Sequence, residues 1–183
     1  MHFTQRIRRA SGRDRIRSVP AGEDKQRANK SPRPRPSEPP LRGAALAARL
    51  LVDACVPESG DPLRLEVVRT LARDLAEELE ALAVLNDDAT ATVEGALRAA
   101  DVANLAACTT PDLLETAATR AAAAAYLAAG AVRALGILAD TTVGYAHEEP
   151  HGEYEQNLSK DARGAVWRAQ LAVQQVDEFM ETS

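Results

Sequence analysis

The chain has 183 residues, 45% of them hydrophobic but only 3% aromatic, with 22 basic and 27 acidic side chains and a net charge of −5. That length suits a single domain, and the composition excludes a collagen, a disulfide scaffold and a wholly disordered chain. The charge is unevenly divided: residues 1–42 carry 12 Lys+Arg against 4 Asp+Glu, whereas residues 43–183 carry 10 against 23.

The first 42 residues also hold six of the ten prolines. Their apolar residues are few (Met1, Phe3, Ile7, Ile16, Val19, Leu41), so little burial offsets the ordering entropy. A disordered basic tail is expected over 1–42, with polyproline II geometry around Pro32–Pro36 and Pro39-Pro40. Arg6, Arg8, Arg9, Arg13, Arg15 and Arg17 give such a tail the means to bind nucleic acid by counterion release. No aromatic side chains are interleaved to stack on bases, so that binding would be non-specific. Arg33–Pro39 also fits a loose proline-ligand pattern, and the Arg-rich start has the flavour of an organellar transit segment, against which Asp14, Glu23 and Asp24 argue. The plain alternative is an inert extension whose Arg/Pro/Gly/Ala bias is that of translated GC-rich DNA. Arg8-Arg9 is followed by no apolar stretch of a secretory signal.

From residue 43 onward no segment alternates with period two, and alanine supplies 34 of the 141 residues. Alanine is the best intrinsic helix former. The pattern predicts an all-α bundle of about five helices with Ala-rich packing over 43–183. The helices are expected near 43–55, 62–85, 88–107, 111–145 and 160–181. Asp61-Pro62 and Thr110-Pro111 each pair an N-cap with a first-turn proline, and Asp87 and Ser159 are the caps expected for the third and last helices. A break or fraying is expected in the fourth helix after Gly136 or Asp140.

Two helices carry apolar seams at spacings of three and four: Leu65, Val68, Ala72, Leu75, Leu79, Leu82, and Ala162, Val166, Ala169, Val173, Val176, Met180. Arg69, Arg73, Glu77 and Glu80 lie off the first seam as a solvated face, with Arg73 and Glu77 positioned to pair. Ala121–Ala139 contains one charged residue, Arg133, and is nearly long enough to span a bilayer. Alanine gives little transfer energy, and a central Arg costs ~2.5–3.5 kcal/mol to insert. The stretch is therefore expected at the centre of a bundle and not in a membrane. Small residues at Ala124, Ala128 and Ala131 would let neighbours approach, and so much apolar surface suggests cover by a second copy.

Candidate chemistry comes from three places. His147-Glu148-Glu149-Pro150-His151 resembles the zincin metalloprotease signature H-E-x-x-H, in which one helix presents two His ligands. Pro150 breaks that helix and Gly144 and Gly152 flank it, so a polar loop is expected. His147 and His151, with Glu153 and Glu155, would then chelate Zn, Ni or Cu only from a flexible loop. The run Glu77-Glu78-Leu79-Glu80, followed by Glu94 and Asp101, is similar in outline to MazG-type nucleoside triphosphate pyrophosphohydrolases. That resemblance implies four helices, an E-E-x-x-E then E-x-x-D pattern, and a Mg²⁺-bound diphosphate held by Glu77, Glu78, Glu94 and Asp101. Position 81 is Ala and position 97 is Leu where that pattern has acids.

Cys55 and Cys108 form no C-x-x-C, have no His partner in sequence, and read as buried free thiols of a reducing compartment. Trp167 and Tyr126 read as packing anchors. The expectation is a soluble cytoplasmic helical bundle, without catalysis, that acts by self-assembly or protein–protein interaction. A Mg²⁺-dependent pyrophosphohydrolase and a tail-borne nucleic-acid binder are the alternatives.

Overall fold

A computed structural model describes residues 35–85, 88–144 and 153–182, with the backbone alone for 142–144 and 153–155. Five helices follow one another: α1 (Glu38–Ala54), α2 (Pro62–Val84), α3 (Ala89–Thr109), α4 (Glu115–Gly144) and α5 (Glu153–Thr182). Short 3₁₀ turns lie at Pro57–Ser59 and Thr110–Asp112, and there is no strand among the described residues. The all-α bundle expected from the alanine content is what forms.

The helix ends show which local signals act. Asp61 accepts from the Leu63 amide and Pro62 opens α2, as the sequence indicates. Three other starts differ. α1 begins at Glu38, five residues before the compositional break, because Pro39 and Pro40 fall in its first turn, where a missing N–H has no partner to lose. They are thus helical and not polyproline II. The cap of α3 is Asp88, whose carboxylate accepts from the Ala91 amide at 2.6 Å; Asp87, the expected cap, lies outside the described residues. Thr110 does not cap α4. Its hydroxyl turns back to the Ala106 carbonyl at 2.8 Å and closes α3, and extended Leu113 separates it from α4.

Ser159 lies inside α5, which starts at Glu153 because residues 153–158 contain no breaker. Nor does α4 break at Gly136 or Asp140; it runs on to Gly144. The expected tail, apart from residues 35–42, lies outside the described residues.

α3 touches all four other helices, and α4 packs on α1, α3 and α5. Their meeting faces are mostly alanine. Ala96, Ala99, Ala103 and Ala106 of α3, and Ala121, Ala124, Ala125 and Ala128 of α4, have no exposed surface. The larger fully buried side chains are few, among them Leu41, Leu51, Leu65, Leu79, Leu135, Val102, Val132 and Val176. No aromatic side chain among the described residues is fully buried, so the helices close on one another through small side chains rather than interdigitating large ones. At Gly95 a Cβ would stand 2.3 Å from Cδ2 of buried Leu41, so the α1–α3 approach requires the absence of a side chain.

The α2 seam is buried at Leu65, Val68, Ala72 and Leu79, with Leu75 and Leu82 half-buried. In α5 the buried line is Ala162, Ala165, Ala169, Ala172 and Val176; Met180, the expected last member, is 44% exposed.

Candidate functional site

The carboxylates singled out in the sequence lie on α2 and α3. Three of them meet at Arg98, whose side chain occupies the middle of the cluster. Its guanidinium is 2.8 Å from Glu78, 3.6 Å from Glu94 and 3.9 Å from Asp101. Asp101 also accepts from Arg168 of α5 at 3.1 Å. The i,i+4 step from Glu94 to Arg98 and the i,i+3 step from Arg98 to Asp101 set this edge of α3, and α2 and α5 deliver Glu78 and Arg168 to it. The arrangement ties three helices together through a cation that the chain itself supplies. Glu77 is exposed and joins no ion pair among the described residues, and neither does Arg73. No group of three or more His, Cys, Asp or Glu among the described residues is placed to hold a metal ion. His147 and His151 lie outside the described residues.

Cys55 is not an activated nucleophile by its setting. Cys55 is buried, and burial pushes its thiol up to about 11, against the opposing pull of the Arg69 charge. It stays protonated at neutral pH. Cys108 is exposed and not buried as expected; its Sγ is 3.9 Å from Oδ1 of Asn104.

What the sequence did not single out is the outward side of the bundle. α4 is long and apolar enough, by length and composition, to cross a membrane, yet only half of its most apolar stretch is buried within the fold. Ala124, Ala128 and Ala131, the small residues expected to let neighbours approach, are buried inside the protomer. The opposite side of α4 presents Tyr126, Gly130, Arg133 and Ile137, at spacings of four, three and four, with Ala123 and Leu127 beside them. Ile137 is 60% exposed.

Tyr126 is not a buried anchor. Its ring is open to solvent, and its hydroxyl donates to the Asp177 carboxylate of α5, which holds the phenol's pKa above its ordinary value. A shallow groove follows the α4–α5 seam. Tyr126, Gly130, Arg133, Val166 and Val173 line a stretch of about 300 Å³, and Arg133, Ile137, Asp140, Arg163 and Val166 line the next, of about 330 Å³.

Two further apolar patches face outward. Leu63, Val67 and Leu71 recur every four residues on α2, with Leu63 83% exposed, and Trp167 and Leu171 do so on α5. Trp167, expected as a packing anchor, is 62% exposed, because Ala165 and Ala169 on the other side of α5 make the contact with the bundle. Arg133 was the available signal for the α4 face. A lone cation in an apolar run marks the side of a helix that the core does not cover, and Tyr126, Gly130 and Ile137 share that side. No protein-family model matches the chain, and no curated protein matches it.

Proposed function

We propose that this protein acts by protein–protein association through the outward faces of its helices and carries no chemistry of its own. The observation that supports this reading is the half-covered α4. A helix this apolar is normally enclosed on all sides, yet one long side of it, with Tyr126, Leu127 and Ile137, meets solvent. Thirty helical residues extend about 45 Å. A face of that length, with the adjoining α4–α5 groove, is large enough for the roughly 800 Å² per partner of a standard interface. The Arg98 cluster is better suited to a structural role than to a metal, since the Arg98 guanidinium already stands among Glu78, Glu94 and Asp101 and Arg168 pairs with Asp101.

The test is sedimentation equilibrium of the full chain from about 1 to about 100 µM, concentrations that bracket the affinity of weak and standard interfaces. A mass that rises with concentration supports association. A mass fixed at the 19.5 kDa of one chain at every concentration, with no partner captured by the purified chain in a crosslinking screen that Ile137→Ser abolishes, contradicts it.

A further inference from the structure

We infer that the outward face of α4 is covered by a second copy of this chain, the two α4 helices lying antiparallel across a two-fold axis midway between Ala129 and Gly130. This rests on the association reading and names its partner. Three independent features of the face point to it.

The first is charge. Arg133 sits in the middle of the apolar face and joins no ion pair among the described residues. Tyr126 and Asp177, held together by the tyrosine hydroxyl, stand two helical turns away along the same side of α4. An antiparallel two-fold places Tyr126 and Arg133 equally far on either side of its midpoint. Each Tyr126 ring and Asp177 carboxylate then faces the second copy's Arg133. A two-fold of this kind also keeps α5 and the second copy's α5 on the same side of the α4 pair, so Asp177 lies on the flank where the incoming guanidinium arrives. The guanidinium gains the ring face and the carboxylate together, and the contact forms twice, as an isologous interface requires.

The second is Gly130. A glycine in mid-helix is less favourable than alanine, and packing within the protomer does not require it: a Cβ there meets nothing within 4 Å. Gly136, six residues on, differs; its Cβ would stand 2.8 Å from Cγ2 of Val166. Gly43 and Gly164 are as open as Gly130, but neither stands in the centre of an apolar helix face. At the proposed axis the missing side chain lets two helix backbones approach closely.

The third is what the face lacks. The bundle is acidic, yet from residue 116 to residue 139 α4 carries no acid, only Arg120 and Arg133 among Ala123, Tyr126, Leu127, Gly130 and Ile137, and its exposed acids Glu115 and Asp140 stand at the two ends of this side. Two copies brought together here bring Arg133 to Asp177, not acid to acid. Hydrocarbon would fit the apolar residues but would leave both arginines without a counter-charge. A second copy supplies one.

The test uses charge reversal in the full chain. Arg133→Asp sets carboxylate against carboxylate in each of the two contacts across the proposed axis, and Asp177→Arg sets guanidinium against guanidinium. Each variant alone is expected to associate at least ~100-fold more weakly than wild type, as like charges in an interface do. An equimolar mixture of the two pairs Asp at 133 with Arg at 177 and Arg at 133 with Asp at 177, and is expected to form a 1:1 heterodimer. Unchanged helical circular dichroism and melting in the single variants would show that the protomer is intact. Gly130→Leu, which has open space in the protomer, should abolish the dimer without changing the fold.

Single variants that associate like wild type would overturn the α4 assignment while leaving association itself standing. A mixture that stays monomeric would overturn the Arg133–Asp177 contact. A wild-type chain that is monomeric throughout would overturn the second-copy assignment and leave the association reading to the crosslinking screen, and its sedimentation with vesicles of 3:1 phosphatidylcholine and phosphatidylglycerol would name a lipid surface as the occupant instead.

Discussion

α3 and α4 are the two alanine-rich helices at the centre of the bundle, packed on each other, and they meet the surface differently. α3 is buried on most of its circumference, and along the edge it exposes Glu94, Arg98 and Asp101 are paired with one another and with Glu78 and Arg168. α4 is buried on one side only, and the side it exposes is apolar, with Arg133 in no ion pair among the described residues and Gly130 open. A polar edge satisfied within the chain needs no partner. An apolar face with a charge that no described residue pairs is, in the proposed dimer, half of a contact. The same intrinsic preference for helix therefore produced one element that closes the molecule and one that extends it.

The largest expected effect lies on the inward side of α4. Leu135 is fully buried, and Leu135→Ala should cost about 2–5 kcal/mol by the loss of buried volume, read as a lower urea midpoint at unchanged slope. Two residues on, the outward Ile137→Ser should leave the urea midpoint of the dilute monomer within ~0.5 kcal/mol of wild type while weakening association. Equal stability losses at the two positions would erase the distinction between the sides of α4.

On α3 the prediction is smaller. Arg98→Ala leaves Glu78, Glu94 and Asp101 facing one another, but all are partly solvated, so a loss of no more than about 1 kcal/mol is expected, shrinking in 1 M salt. A salt-independent loss would mean that Arg98 packs rather than pairs.

Cys55 gives a pH signature of the core. Its thiol is raised from an ordinary value of 9.0 to about 11 in the folded state. The unfolded chain therefore loses this proton first. The Cys55 contribution to stability is complete below pH about 9, falls as pH rises toward about 11, and is flat beyond. Cys55→Ala should remove that slope in alkaline melts. Smallest of all, Gly130→Ala should raise the melting temperature of the dilute monomer slightly, by the helix-propensity difference of about 0.5–1 kcal/mol, since nothing stands within 4 Å of the new methyl.

The fold was legible because alanine content and three-four spacing are local and cooperative; the α2 seam appears as expected, and the α5 line turns toward Ala165 and Ala172, leaving Val166 and Val173 half-buried and Met180 exposed. Helix starts were less legible where two uses of one residue compete. Thr110 has the chemistry of an N-cap but bonds backward to Ala106, because its backbone is already helical as part of the end of α3. Ser159 resembles a cap, yet nothing before it stops the helix.

The carboxylates were legible as a cluster and not as a site. Glu78, Glu94 and Asp101 do converge, but Arg98, equally visible in the sequence at i,i+4 from Glu94, takes the centre. The outward face of α4 was hardest to read, because Ala-rich helices present small residues all round and only tertiary packing decides which side remains. Ala124, Ala128 and Ala131 went inward and Gly130 outward.

The comparison between the two helices can be tested directly with cysteine crosslinking. Cys108 lies on the exposed side of α3, and Gly130→Cys in a Cys108→Ser background puts one exposed thiol on the outward face of α4 instead. A disulfide needs Cα atoms within about 7 Å, which two copies meet at residue 130 only if α4 pairs with α4 near its midpoint. Under mild oxidation the residue-130 thiol should link rapidly into a covalent dimer, while wild type, through Cys108, should not. Rapid linkage through Cys108, or none at residue 130, would contradict the assignment of α4 as the face through which the protein meets its second copy.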